Sequence, residues 1–233
     1  MNGGTYLARR GELETYFDRT AHEAWKRLTS DAPVGRIRAT VRAGRDAMRA
    51  TLLDWLPRDM TGLSLLDAGC GTGALAVEAA RRGAHVVAVD VSPNLVALAG
   101  ERVPPDLGHG HIDFVVGDML DPALGRFDHV VAMDSLIHYQ DVDITAALAG
   151  LSARVAASIV FTVAPRTPAL TLMHAAGRLF PRGDRAPAIV PISSAALEEG
   201  LRASPALAGW HVSRSQRISS GFYVSQAMEV RRS

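Results

Sequence analysis

The 233-residue sequence has a single cysteine and no apolar run long enough to cross a membrane. The lone Cys70 excludes an internal disulfide framework and a cysteine-built zinc site, and such cysteine usage is typical of a reducing cytoplasm. A membrane span needs about 20 apolar residues, whereas the stretch 148–164 is broken by Arg154 and serines. Residues 1–10 lack the apolar core of a signal peptide. We therefore expect a cytoplasmic protein whose only membrane contact, if any, is peripheral.

A strong charge of one sign is also missing. The formal net charge is +1, from 25 basic and 24 acidic residues, so the chain lacks the global basic field that nucleic-acid-binding proteins use. Hydrophobic residues make up 48% and charged residues 21%, which are ordinary values for a globular protein. We predict a globular chain that binds no nucleic acid.

Hydrophobic spacing divides the chain near residue 60. Helical periodicity predicts two helices before that point, over 12–28 and 37–56. Beyond it, short apolar runs alternate with helical segments. The predicted strands in this part are 63–67, 85–90, 112–117, 128–133 and 155–163. This alternation favours a doubly wound, Rossmann-like parallel α/β sheet, and we predict a helical cap over 1–60 and an α/β domain over 61–233.

The alternation stops after Pro165, where prolines interrupt the segment 166–192. We predict a helix over 169–180 within this insertion. A helix over 193–203 follows, and then two strands over 210–217 and 222–230. We expect these strands to pair antiparallel at the C-terminal edge of the mostly parallel sheet.

The segment with the most chemical content is Leu65-Leu-Asp-Ala-Gly-Cys-Gly-Thr-Gly73. Glycines at a strand-to-helix turn let the backbone approach a ligand closely, and Gly69 and Gly71 also satisfy a relaxed dinucleotide fingerprint. Charge separates the candidate ligands. Asp67 would repel the pyrophosphate of a nicotinamide or flavin dinucleotide, whereas it would attract the sulfonium and ammonium groups of S-adenosylmethionine.

Two further acids follow predicted strands. Asp90 ends the second strand, where a carboxylate can accept hydrogen bonds from both hydroxyls of a ribose. NAD and S-adenosylmethionine both carry such a ribose, so Asp90 and the adjacent Val91 indicate a cofactor pocket without choosing the ligand. Asp118 follows the third strand, where it can accept from an adenine amino group while Met119 contacts the ring.

In combination these residues resemble the class I S-adenosylmethionine-dependent methyltransferases over 62–164. From about residue 12 to the C-terminus, the order and spacing of several segments also resemble the magnesium-protoporphyrin IX O-methyltransferase family of chlorophyll and bacteriochlorophyll biosynthesis. These segments are 16–25, 41–45, 132–139, 161–168, 179–181 and 220–223. The sequence departs from the family pattern in the short loop 104–110 and at Arg45.

The resemblance implies methyl transfer from S-adenosylmethionine to one propionate of Mg-protoporphyrin IX, giving the monomethyl ester and S-adenosylhomocysteine. By the same resemblance, Tyr16 and His138 hold the acceptor propionate, Arg42 pairs with the cofactor carboxylate, and Met133 contacts the cofactor. It implies no protein-bound metal, because the magnesium belongs to the substrate. The implied partner is the large subunit of magnesium chelatase, which would hand over the porphyrin.

The insertion 166–192 is expected to act as a lid beside the acceptor. Candidates for its apolar wall are Leu170, Leu172, Met173, Leu179 and Phe180, and candidates for meeting the second propionate are Arg166, Arg182 and Arg185.

Three alternatives stay open. The first is an O-methyltransferase for another small acceptor, such as a quinone precursor or a phenol, which would share the core. The second is a non-catalytic module that binds S-adenosylmethionine or a porphyrin without turnover, and the third is an NAD enzyme, which Asp67 disfavours. Nucleic-acid methylation is disfavoured because the chain has neither a basic stripe nor the Asn/Asp-Pro-Pro-Tyr motif of base methyltransferases.

Overall fold

Seven strands form one sheet in the computed structural model, which describes residues 3–20, 35–166 and 189–233. The strands are β1 Ser64–Ala68, β2 His85–Asp90, β3 His111–Val116, β4 Phe127–Ala132, β5 Val155–Val163, β6 Trp210–Ser220 and β7 Tyr223–Arg232. Their order across the sheet is β3-β2-β1-β4-β5-β7-β6. The first five pair in parallel, while β7 runs antiparallel to both β5 and β6. The predicted doubly wound sheet with an antiparallel C-terminal edge is confirmed.

Two of the described helices precede the first strand, and the others lie between strands in the sequence. These helices are α1 Gly3–Thr15, α2 Arg36–Asp54, α3 Ala74–Arg81, α4 Pro93–Glu101, α5 Asp141–Ser152 and α6 Ser194–Ala203. Local sequence explains where two of them begin: Ser92 and Ser193 are N-caps whose hydroxyls accept hydrogen bonds from the amides of Leu95 and Ala196. No described helix combines the length and apolar character that a bilayer span requires.

The first helix begins earlier than the predicted residue 12. It starts at Gly3, and a π-helical turn over Tyr16–Thr20 continues it. Glycines near its start disfavour a helix, but Tyr6 and Arg10 lie one turn apart and both bond to Asp118, so tertiary contacts override local propensity. The rest of the predicted first helix and the predicted helix 169–180 lie outside the described residues.

The central strands of the sheet, β1, β4, β5 and β7, are buried on both faces. One core contains Phe161 and Leu148, and the other contains Met48 of α2 and Leu75 of α3. Because β1 to β4 are parallel, their carboxyl ends lie together along one side of the sheet, which we call the carboxyl edge. Their amino ends lie together along the opposite side, which we call the amino edge. Leu13 of α1 also belongs to the first core, so both N-terminal helices pack on the sheet. The division at residue 60 stays a prediction.

Candidate active site

The glycine turn after β1 lies at the carboxyl edge. Gly69, Gly71 and Gly73 have φ angles of 85°, 54° and 76°, a left-handed region that only glycine adopts without strain. A Cβ on Gly69 would lie 2.5 Å from the Cβ of Ser135. The turn therefore needs glycine for its backbone and for close packing against the loop that follows β4.

Asp67, at the end of β1, has a carboxylate oxygen without a partner. The residue is 1% exposed, and its Oδ2 atom receives no hydrogen bond from the described residues. Burial, reinforced by the nearby Asp90, raises the pKa of Asp67 to about 7. A buried carboxylate is costly unless it is paired. This oxygen therefore suits a ligand that carries positive charge.

Asp90 faces the same turn from the end of β2. One carboxylate oxygen accepts from the amide of Gly71 at 2.9 Å, and the other accepts from the amide of Ser92 at 3.0 Å. Burial raises the pKa of Asp90, although these hydrogen bonds oppose the shift. A carboxylate has about four lone-pair sites, so Asp90 keeps acceptor capacity for hydroxyl groups. Val91 follows it and is half-buried.

Asp118, after β3, is bonded to the N-terminal helix. The hydroxyl of Tyr6 and the guanidinium of Arg10 each donate to it at 2.7 Å. Tyr6 also stacks on Tyr139, with ring centroids 5.0 Å apart. The side chain of Met119 is buried in the core. The role of Asp118 and Met119 toward an adenine stays a prediction, and the sequence reasoning missed Tyr6 and Arg10, whose only signal is their i, i+4 spacing.

A second contact anchors the end of the same N-terminal segment. Asp18 accepts from the hydroxyl of Ser92 and the amide of Asn94, both at 3.2 Å, at the start of α4. The N-terminal segment 3–20 is therefore hydrogen-bonded to residues that follow β2 and to Asp118, which follows β3. It crosses the carboxyl edge between these two contacts.

The two residues predicted to hold an acceptor both contact the same aromatic ring. Phe17 makes edge contacts with Tyr16, at a centroid distance of 5.2 Å, and with His138, at 6.2 Å. His138 ends a one-turn helix after β4 and is 7% exposed, while Tyr16 is half-buried. Burial raises the pKa of Tyr16. The structure thus brings Tyr16 and His138 into one aromatic cluster at the carboxyl edge.

Asp134 adopts a left-handed backbone, with a φ of 56°. Its carboxylate accepts from Arg45 at 2.6 Å and from the hydroxyl of Tyr223 at 3.0 Å. Its amide donates to the hydroxyl of Thr162 at 2.7 Å. Strained residues held by several partners cluster at functional sites. The sequence carries no local signal for this network, because its members come from separate elements.

The Asp134 network ties α2 to the loop after β4. A Cβ on Gly44 would lie 2.6 Å from the ring of Tyr223, so α2 packs tightly on the β6–β7 hairpin. Arg42, one turn before Arg45, is half-buried on α2, and Met133, just before Asp134, packs on the second core. The structure therefore joins the elements that carry these two predicted cofactor contacts.

Comparisons with known proteins show which families this chain resembles. A family profile described as "Magnesium-protoporphyrin IX methyltransferase C-terminus" matches residues 132–232, and a "Methyltransferase domain" profile matches residues 65–157. A Magnesium-protoporphyrin O-methyltransferase from Rhodobacter capsulatus is 50% identical over 97% of this chain and 98% of its own length.

A solved structure and a second group of relatives extend the comparison. A crystal structure of magnesium protoporphyrin IX methyltransferase from Synechocystis PCC 6803 with bound SAH matches with a TM-score of 0.79 and 28% identity, covering 96% of this chain and 99% of that one. A Ubiquinone biosynthesis O-methyltransferase from Xanthomonas oryzae is 29% identical over 78% of this chain and 77% of its own length.

Proposed function

The chain belongs to the magnesium-protoporphyrin IX methyltransferase family, and from this premise we infer that it methylates one propionate of Mg-protoporphyrin IX with S-adenosylmethionine as donor. The products are the monomethyl ester and S-adenosylhomocysteine. The observation that carries the inference is the 50% identity to the Rhodobacter capsulatus enzyme over nearly the full length of both chains. The quinone-precursor alternative has less support, because its relative is less similar and leaves more of the chain unmatched.

The residues at the carboxyl edge fit S-adenosylmethionine. When bound, this cofactor supplies an electrophilic methyl group on a positively charged sulfur. The unpartnered oxygen of Asp67 is suited to a cationic group of the cofactor, and the two oxygens of Asp90 are suited to its ribose hydroxyls. Backbone groups of the glycine turn allow close approach, as proposed for Gly69 and Gly71.

The remaining cofactor contacts rest on position and resemblance. Arg42 is proposed to pair with the cofactor carboxylate, because a guanidinium can bind it through two hydrogen bonds. Met133 and Val91 are proposed as apolar contacts. Asp118 is proposed to accept from the adenine amino group while it keeps its bonds to α1.

The acceptor requires orientation and little proton chemistry. A propionate is already ionised at neutral pH, since carboxyl groups have an ordinary pKa of about 4. His138 and Tyr16 are proposed to hold it by hydrogen bonds so that one oxygen points at the methyl group. The N-terminal segment and the aromatic cluster around Phe17 would exclude water from this contact.

The porphyrin itself suggests how the substrate arrives. A flat apolar ring with two carboxylates partitions into membranes and needs a wide apolar slot with cations at its rim. The sequence-based candidates for this slot belong to the insertion 166–192, of which residues 167–188 lie outside the described part of the chain. Hand-over from the large subunit of magnesium chelatase and peripheral membrane contact are proposed on the same ground.

A turnover assay tests the proposal. The purified chain is mixed with S-adenosylmethionine and Mg-protoporphyrin IX, and the porphyrin is examined by mass spectrometry for one added methyl group. We expect Asp67→Ala to abolish turnover, His138→Ala to lower it about 100-fold through misplacement of the acceptor, and the exposed-site control His211→Ala to retain it. An unmethylated porphyrin in a sample that still binds S-adenosylhomocysteine would refute the porphyrin assignment and favour another small acceptor.

A further inference from the structure

Three metal-ligating side chains converge at the amino edge of the sheet, opposite the carboxyl edge. His85 begins β2, His111 begins β3, and the strand register places these two residues beside each other. Asp113 lies two positions after His111 and therefore on the same face of the sheet. The Nε2 atoms of His85 and His111 lie 2.8 and 3.0 Å from the two carboxylate oxygens of Asp113.

The cluster is open to solvent. The side chains of His85, His111 and Asp113 are 58%, 68% and 51% exposed. The fold explains this openness, because the connection from β3 to β4, all of it within the described residues, contains the one-turn helix Pro122–Leu124 in place of an α-helix that could cover this face of the edge strand. An ion can therefore reach all three groups without any rearrangement of the core.

We propose that His85, His111 and Asp113 bind one divalent transition-metal ion, with Zn²⁺ as the ion of choice. Zinc binds imidazole nitrogen and carboxylate oxygen at about 2.0–2.2 Å, so neighbouring ligand atoms around it lie about 3.0–3.5 Å apart. The three ligand atoms already lie within 4.8 Å of one another, and the two N···O separations need to widen only slightly. Magnesium is not a candidate, because it prefers oxygen ligands.

The binding step exchanges two hydrogen bonds for metal bonds. In the free protein the imidazoles share the two oxygens of Asp113. On binding, the Nε2 proton that each imidazole donates to Asp113 passes to solvent and the freed Nε2 ligates the ion. Each neutral ring then carries its one proton on Nδ1, and Asp113 ligates as the carboxylate. Three protein ligands leave room for water to complete the shell. Because the ion joins β2 to the edge strand β3 only in the folded chain, it stabilises the fold by mass action.

Calorimetry with zinc chloride on the tag-free full chain tests the site. We expect one ion per chain, with affinity at least about tenfold weaker in His111→Gln and in Asp113→Asn. The control His211→Gln changes an exposed histidine on β6 and should bind zinc as the unaltered chain does. Zinc should also raise the melting temperature of the unaltered chain and of the control, but not of the two cluster variants.

A direct spectroscopic measurement guards against misfolded variants. Co²⁺ added to the unaltered chain should give the visible absorption of a tetrahedral nitrogen- and oxygen-ligated site, and Zn²⁺ should displace it. The proposal is overturned if the unaltered chain binds neither ion, or if both cluster variants keep the same stoichiometry and affinity.

Discussion

The carboxyl groups at the two edges of the sheet differ in their burial and in the direction of their pKa shifts. At the carboxyl edge, Asp67 is buried and the nearby Asp90 is half-buried, and loss of solvent around each carboxyl group raises its pKa. At the amino edge, Asp113 is exposed, and its hydrogen bond from His85 is the main cause of a lowered pKa. The buried Asp67 has a carboxylate oxygen without a hydrogen-bond partner among the described residues, whereas both oxygens of Asp113 are hydrogen-bonded.

The carboxylate of Asp67 gains a full set of partners only when a cationic ligand binds, whereas the carboxylate of Asp113 already has its hydrogen bonds in the ligand-free protein. Burying a carboxylate without a partner costs free energy. Such unfavourable groups persist where the surrounding structure holds them in place, and they cluster at functional sites. The carboxyl edge is further bonded to the N-terminal segment and to α2 through Asp118 and Asp134. The amino edge is satisfied by its own hydrogen bonds, so a ligand there adds stability but is not required for folding.

The largest effect is expected from Asp67→Asn, which removes the buried ionisable group of the carboxyl edge. Removing one partner of a desolvated charge pair costs about 2–5 kcal/mol, so we expect S-adenosylhomocysteine to bind about 100-fold more weakly. The ligand-free protein should keep or gain thermal stability, because the variant no longer buries an ionisable carboxyl group. Calorimetry and thermal melts measure both effects. Asp106→Asn, in an exposed loop, is the control, and an unchanged affinity in Asp67→Asn would contradict the assignment.

Asp134→Asn breaks the network that holds α2 to the carboxyl edge. The side chains of Asp134 and Arg45 are 6% and 19% exposed, so losing the ion pair should cost about 2 kcal/mol, less than a fully buried pair. In a domain of this size that lowers the melting temperature by about 4–8 °C.

Asp46→Asn supplies the matched control for this measurement. It removes an exposed ion pair with Arg49 on the same helix, and such a pair contributes about 0.5 kcal/mol or less. Equal melting temperatures for the Asp46 and Asp134 variants would mean that the network does not stabilise the edge.

Local sequence pattern accounts for most of the fold. The apolar runs that predict β1, β2, β4 and β5 are largely buried in the sheet, whereas the edge strand β3 is only partly covered. The observed bounds of β1, Ser64–Ala68, differ by one residue from the predicted 63–67. The acids at the strand ends could also be predicted, because parallel strands place their carboxyl ends together. The confirmed family follows from such motifs in combination.

The contacts between distant elements could not be predicted. Arg45 and Tyr223 each lie 89 positions from Asp134, and the left-handed backbone of Asp134 has no signature in its neighbours. The His85–Asp113 contact depends on the register of β2 and β3, which hydrophobic pattern alone does not determine. The early start of α1 was missed for the same reason, since its partner Asp118 is 112 positions away from Tyr6.

The raised pKa of Asp67 makes both stability and cofactor binding depend on pH. The pKa of Asp67 is raised by burial from 3.8 to about 7, so the folded, ligand-free protein holds a proton that the unfolded chain loses. Its contribution to stability is therefore fully present below the ordinary pKa of 3.8 and is lost progressively as the pH rises to about 7.

Binding of a cationic group favours the ionised form of Asp67. S-adenosylhomocysteine should then bind about tenfold more tightly at pH 8 than at pH 6, with proton release on binding near neutrality. Calorimetry in buffers of different ionisation enthalpy measures both quantities. Because Asp90 faces the same turn and has a raised pKa as well, Asp67→Asn serves as the control. If the pH dependence persists in that variant, Asp67 is not its source.

The smallest effect is expected at the amino edge. With metal removed by EDTA, Asp113→Asn should lower the free energy of unfolding by at most about 0.5 kcal/mol, because exposed ion pairs gain little in water. Since the side chains of His85, His111 and Asp113 are all more than half exposed, salt at about 1 M should screen what remains of the difference. Urea denaturation at low and high salt measures this change. A loss comparable to that of Asp134→Asn would show that the amino edge is as tightly constrained as the carboxyl edge, and the contrast between the two would then have to be abandoned.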